Sequence, residues 1–107
     1  MRFVRGDTKA YKFVRRLKKD HSIIMEKADD VKLTVRHNPE GEIVIQKYLE
    51  NGITFDEATG YYYILFEPAD TSNLEFETYG FDIQVVKDSV VHTIETGRLT
   101  LDEEYTY

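Results

Sequence analysis

Val31-Lys32-Leu33-Thr34-Val35-Arg36 alternates apolar and polar side chains over six residues, and Phe81-Asp82-Ile83-Gln84-Val85 repeats the rhythm later in the chain. A period of two places every second side chain on the same face, which marks a half-buried strand. Leu99-Thr100-Leu101 carries the same signal in miniature. Toward the start, Ala10–Leu17 reads as a strand with Tyr11, Phe13 and Leu17 on one face and Lys12 and Arg16 on the other. Ile43-Val44-Ile45-Gln46-Lys47-Tyr48 and Tyr61-Tyr62-Tyr63-Ile64-Leu65-Phe66 are β-branched and aromatic runs, read as central strands covered on both faces.

Turn chemistry separates these runs. Asn38-Pro39-Glu40-Gly41 is a hairpin-type loop, Asn51-Gly52 a second turn and Ala58-Thr59-Gly60 a third. Lys87-Asp88-Ser89 joins Ile83–Val86 to Val90–Ile94 as a short hairpin, and Gly97 is read as a break or bulge in the last strand. His21–Asp30 has mixed character with room for one helical turn. A second turn of helix is expected near Asp70–Leu74, after Pro68. Seven to nine short strands, with at most one or two helical turns, predict an all-β fold of the immunoglobulin-like antiparallel β-sandwich type. The 107 residues fit one domain, with 102–107 as a frayed tail. In such sandwiches a tyrosine two residues before a core position of a late strand bonds backbone a few residues upstream. Tyr79-Gly80-Phe81 fits this tyrosine corner, with the Asp70–Leu74 turn as its expected partner.

Charge is uneven. Residues 1–19 hold eight Lys/Arg against Asp7 alone, while residues 20–107 hold six against nineteen Asp/Glu, for a net −6. An acidic chain repels phosphate overall, so no nucleic-acid partner is expected, and the basic stretch reads as the solvated side of a strand. The absence of cysteine excludes a disulfide scaffold, a thiolate metal site and a cysteine nucleophile. No apolar run approaches the ~18 residues of a membrane span, and the first residues lack the apolar core of a signal peptide.

The residues that carry chemistry do not assemble in sequence. His21, His37 and His92 have no metal-ligand spacing to one another or to a carboxylate. Asp29-Asp30, Asp56-Glu57 and Asp102-Glu103 are adjacent pairs, and neighbours on a strand face opposite ways. Ser22, Ser72 and Ser89 lie in no nucleophile motif. Arg5-Gly6-Asp7 matches the tripeptide that integrins read, but between two strands its glycine reads as a bend. No catalytic, cofactor or metal residue is expected, and the chain reads as no enzyme. Eight tyrosines and six phenylalanines allow a second reading, a carbohydrate- or protein-binding sandwich with an exposed tyrosine-rich surface.

A longer pattern adds to this. Arg5-Gly6-Asp7-Thr8 comes first, then Asp29-Asp30-Val31-Lys32-Leu33-Thr34-Val35 and Gly60-Tyr61-Tyr62-Tyr63-Ile64. Pro68-Ala69-Asp70-Thr71-Ser72-Asn73-Leu74, Tyr79-Gly80-Phe81-Asp82-Ile83 and His92-Thr93-Ile94-Glu95-Thr96-Gly97-Arg98-Leu99-Thr100-Leu101 follow. In that order and spacing the chain resembles the N-terminal domain of tailed-phage baseplate upper proteins and small prophage proteins encoded among tail genes. The resemblance spans nearly the whole chain. It implies a non-enzymatic structural module of a phage or prophage particle, held by protein–protein contacts. The implied partners are other tail or baseplate proteins or further copies of itself, with no membrane. The implied location is the host cytoplasm during assembly and then the virion. An open sandwich exposes edge strands that can add to a neighbour's sheet. The candidate assembly edges are Arg2, Phe3, Val4 and Arg5, and Leu99, Leu101 and Tyr105. For stability, Ile83→Ala or Val35→Ala is expected to cost about 2–4 kcal/mol, and Asp56→Ala less than about 0.5 kcal/mol.

Overall fold

Eight strands and one helical turn follow along the chain: β1 (Arg2–Val4), β2 (Lys9–Val14), β3 (Asp30–Arg36), β4 (Ile43–Leu49), β5 (Gly52–Phe55), β6 (Tyr61–Phe66), α1 (Pro68–Thr71), β7 (Thr78–Lys87) and β8 (Val90–Asp102). They belong to a computed structural model that describes residues 1–37, 41–75 and 77–102. The two alternating stretches lie side by side: β3 pairs antiparallel with β7, with Leu33 opposite Ile83 and Val35 opposite Phe81. Their inward residues Val31, Leu33, Val35 and Ile83 are fully buried.

The strand order is β1-β8-β7-β3-β4-β5-β6-β2. All eight strands form one continuous sheet, which curls so that β5-β6-β2 faces β1-β8-β7-β3-β4 across the core as two layers. With β2 to β8 in the places of strands B, C, C′, D, E, F and G, this is the order of an immunoglobulin-like sandwich. The layers meet through rings: Phe3 of β1 lies 5.1 Å from Phe66 of β6, and Tyr11 of β2 is 6.4 Å edge-on to Phe81 of β7. Tyr62 stacks on Phe13 at 5.0 Å, and its hydroxyl oxygen accepts from the Ala28 N–H at 2.9 Å.

Two pairings are parallel, against an all-antiparallel expectation. β1 lies parallel to β8, and Tyr48-Leu49 parallel to Gly52-Ile53. The second is the corner between the layers, where the chain steps sideways from β4 to β5 and keeps its direction, through Glu50 (φ +69°) and Gly52 (φ +99°). The runs of β4 and β6 are covered on one face only. In β6, Tyr62, Ile64 and Phe66 are buried while Leu65 is exposed, because each layer of a sandwich has one wet side. His21–Asp30 forms no helical turn: Leu17 and Ser22 exchange a backbone bond at 2.9 Å, and His21 takes φ +63° to close that loop. The strand β2 stops at Val14. The Asn38-Pro39-Glu40 part of the loop between β3 and β4 lies outside the described residues.

Gly97 neither breaks β8 nor bulges. It pairs with Phe81, and a Cβ there would sit 3.1 Å from the Phe81 ring, which lies over the glycine. The bulge falls three residues earlier: Ile83 faces Glu95 and Gln84 faces Thr93, leaving Ile94 as the extra residue. The hairpin joining β7 to β8 turns through Asp88 (φ +52°) and Ser89 (φ +65°). Two successive left-handed residues make the type I′ geometry that matches strand twist.

Candidate functional site

At the tip of the β7–β8 hairpin the sandwich is incomplete. β1 covers β8 only from Thr100 to Asp102, so among the described residues Val90–Thr96 has β7 alone as a backbone partner. This half of β8 projects apolar side chains into solvent: Val90 is 50% exposed, Val91 57% and Ile94 39%. The bulge at Ile94 twists this stretch, and the Tyr11 hydroxyl, bonded to the Glu95 carboxylate, marks where it leaves the second layer. Burial, and then the bond to that anion, push the Tyr11 phenol up to about 12.

Beneath the hairpin runs a groove of about 440 Å³, closed on its other side by the chain leaving β2. Its lining carries Arg15, Arg16, Lys18 and Lys87 and no carboxylate. Val14, Ile24, Val85 and Ile94 supply an apolar strip, and His92 lies at the hairpin side. Three of the cations are held from outside. Arg15 Nη2 donates to the Glu26 carbonyl at 2.6 Å, Arg16 Nη1 to the His21 carbonyl at 2.8 Å, and Lys87 Nζ pairs with Glu26 at 2.6 Å. The Lys87–Glu26 hydrogen bond raises the lysine and lowers the carboxyl. Arg15 Nε is buried with no acceptor, an unmet donor of the kind native folds rarely keep.

A second hollow, about 390 Å³, opens on the outer face of the larger layer. Arg36, Gly80 and Arg98 stand in one row across β3, β7 and β8. No atom lies within 4 Å of where a Gly80 side chain would begin, so the two arginines flank a gap. Asp82 lines the same hollow. Among the described residues no three His, Cys, Asp or Glu side chains are grouped to hold a metal ion, and no helix is long and apolar enough to cross a membrane.

The residues expected from sequence fall as follows. The Tyr79 hydroxyl donates to the Glu75 carbonyl at 3.1 Å, four residues upstream, and the ring is fully buried. Asp70 takes no part in that bond. Its carboxylate accepts from the Glu67 N–H at 2.7 Å and from Lys47 at 2.8 Å, which fixes the start of α1. Arg2, Phe3 and Val4 form β1, and Arg2 is paired to Asp102 at 2.7 Å. Phe3 is buried under Phe66. Arg5 donates to the Leu74 carbonyl at 3.1 Å, and the Gly6 bend (φ +85°) is tied to buried Thr71. Leu99 and Leu101 are not edge residues: both are buried, and β8 there lies between β1 and β7. Tyr105 lies outside the described residues. The tyrosines are dispersed: Tyr61 and Tyr63 sit half-buried on the outer face of β6, Tyr48 on the other layer, and Tyr62 and Tyr79 are in the core. The groove escaped sequence reading because Arg15 and His92 are separated by most of the chain. The basic run Arg15-Arg16-Leu17-Lys18 was its one visible trace.

Comparison with known protein families and with curated proteins finds no match to this chain.

Proposed function

We propose that the chain is a non-enzymatic assembly module that acts through protein–protein contacts. The observation that carries this is the open edge of β8. A strand with unpaired backbone groups and exposed apolar side chains is a template for another strand, and proteins that remain alone blunt such edges with charge or bulges, or cover them. Here the bulge at Ile94 and the charge of Glu95 guard the part toward Thr96, while Val90 and Val91 stand exposed on the stretch before it. Strand addition at this edge would bury those side chains and satisfy the backbone together. The resemblance to baseplate upper proteins and prophage tail proteins supplies the particle: a tail or baseplate component in which such contacts hold copies or neighbours together.

Two measurements test this. Light scattering over a concentration series is expected to show self-association, reduced at least tenfold by Val91→Lys, which places a charge on the edge strand without entering the core. A Val91→Lys chain that associates as the unaltered one does would remove the edge from the argument. For the particle, the neighbouring genes decide: a tail cassette supports the reading, and a metabolic operon leaves it without support.

A further inference from the structure

We infer that the basic groove under the β7–β8 hairpin receives residues 103–107 of a second copy of this chain. This rests on the assembly reading above and names its partner. The groove offers an apolar strip and four cations with no carboxylate in its lining, and of the four Lys87 is paired from outside with Glu26 and Asp29. Its occupant must therefore be acidic and partly apolar, and must bring oxygen acceptors. Glu103-Glu104-Tyr105-Thr106-Tyr107 has that composition: two carboxylates for the cations and two aromatic rings for Val14, Ile24 and Ile94. Tyrosine also fills such a surface at low entropic cost.

Reach settles whose segment it is. On β8 the groove is lined by His92, Thr93 and Ile94, and residue 103 follows Asp102 at the other end of the strand. Ile94, the nearest of them, stands eight residues from Asp102, roughly 26 Å at the usual rise of a strand. Five residues span about 18 Å at full extension. A chain cannot fill its own groove, so the segment comes from a neighbour. Donor and acceptor surfaces are then different patches of one molecule, a head-to-tail contact that closes into a ring or continues as a filament.

Two double variants of the full chain test this by light scattering. Arg16→Glu with Lys18→Glu spoils the groove at exposed positions, and Glu103→Gln with Glu104→Gln spoils the segment. The unaltered chain is expected to form oligomers that weaken as salt is raised. Each variant alone is expected to be monomeric, and their equimolar mixture to form a dimer and nothing longer, since it holds one intact groove and one intact segment per pair. A labelled peptide of the sequence Asp102–Tyr107 should bind the full chain and lose at least tenfold in affinity to the groove variant. Oligomers unchanged in both variants would overturn the groove inference while leaving assembly through the open edge standing. A mixture that stays monomeric, or a peptide indifferent to the groove variant, would overturn it as well. An unaltered chain that is monomeric throughout would end both readings of self-association.

Discussion

Tyr62→Phe is the sharpest test of how this sandwich is held. The Tyr62 ring is fully buried between Phe13 and Phe55, and Phe keeps that shape. What is lost is one oxygen, the acceptor for the Ala28 N–H at 2.9 Å. Ala28 is 3% exposed, so water cannot replace it. An orphaned buried donor costs about 1–3 kcal/mol, which for a domain of this size lowers the melting temperature by roughly 4–12 °C. Tyr79→Phe removes a bond of similar length, but its acceptor, the Glu75 carbonyl, belongs to an exposed residue that water can reach. Its cost is about 0.5–1.5 kcal/mol. Tyr63→Phe, on the outer face, should fall within about 0.5 kcal/mol of zero. Urea unfolding of the three variants orders them, with m unchanged. If Tyr62→Phe were as mild as Tyr63→Phe, the hydroxyl would not be what anchors the segment entering β3.

Five further outcomes follow from the geometry. Gly97→Ala should destabilise by about 1–3 kcal/mol, because its Cβ meets the Phe81 ring at 3.1 Å. Gly80→Ala meets nothing and should be neutral or slightly stabilising in the same unfolding assay. Ile83→Ala, at a fully buried position, should cost about 2–4 kcal/mol. Asp56→Ala should cost about 0.5–1 kcal/mol, more than its sequence suggested, because its carboxylate accepts the Ala58 N–H at 2.9 Å. Finally, Tyr11 is held neutral in the fold, with its ionisation raised from 10.0 to about 12. Its contribution is complete below pH 10 and is lost as pH rises from 10 to 12, where the unfolded chain ionises first. Thermal melts across that range should fall less steeply for Tyr11→Phe, and parallel curves would contradict the assignment.

The sequence made some of this legible and hid the rest for identifiable reasons. β3 and β7 were readable because one face of each is buried and the other wet, which writes a period of two directly into Val31–Arg36 and Phe81–Val85. β4 and β6 misled because β-branched and aromatic residues are good strand formers whether or not both faces are covered. Gly97 looked like a bulge, since a glycine in a strand signals either irregular backbone or close approach, and only the position of Phe81 separates the two. The bulge sits at Ile94, a residue with no local signature. Leu99 and Leu101 looked like an edge because nothing in sequence announces that β1 will lie parallel beside them. The groove, built from both ends of the chain, left only its basic half in plain view.

The parallel seam between β1 and β8 also sets the tempo of folding. Its Arg2–Asp102 pair joins residues 100 apart in sequence. Closing a loop that long costs about 2 kcal/mol more than closing one of ten residues, and contact between such distant segments places folding in the slow, millisecond-to-second regime of β proteins. During synthesis Phe3 therefore emerges well before Leu101 and waits, at ordinary ribosomal speed, roughly 5–20 s for the strand that will shelter it. β1, made well before β8, cannot be sewn in until β8 exists.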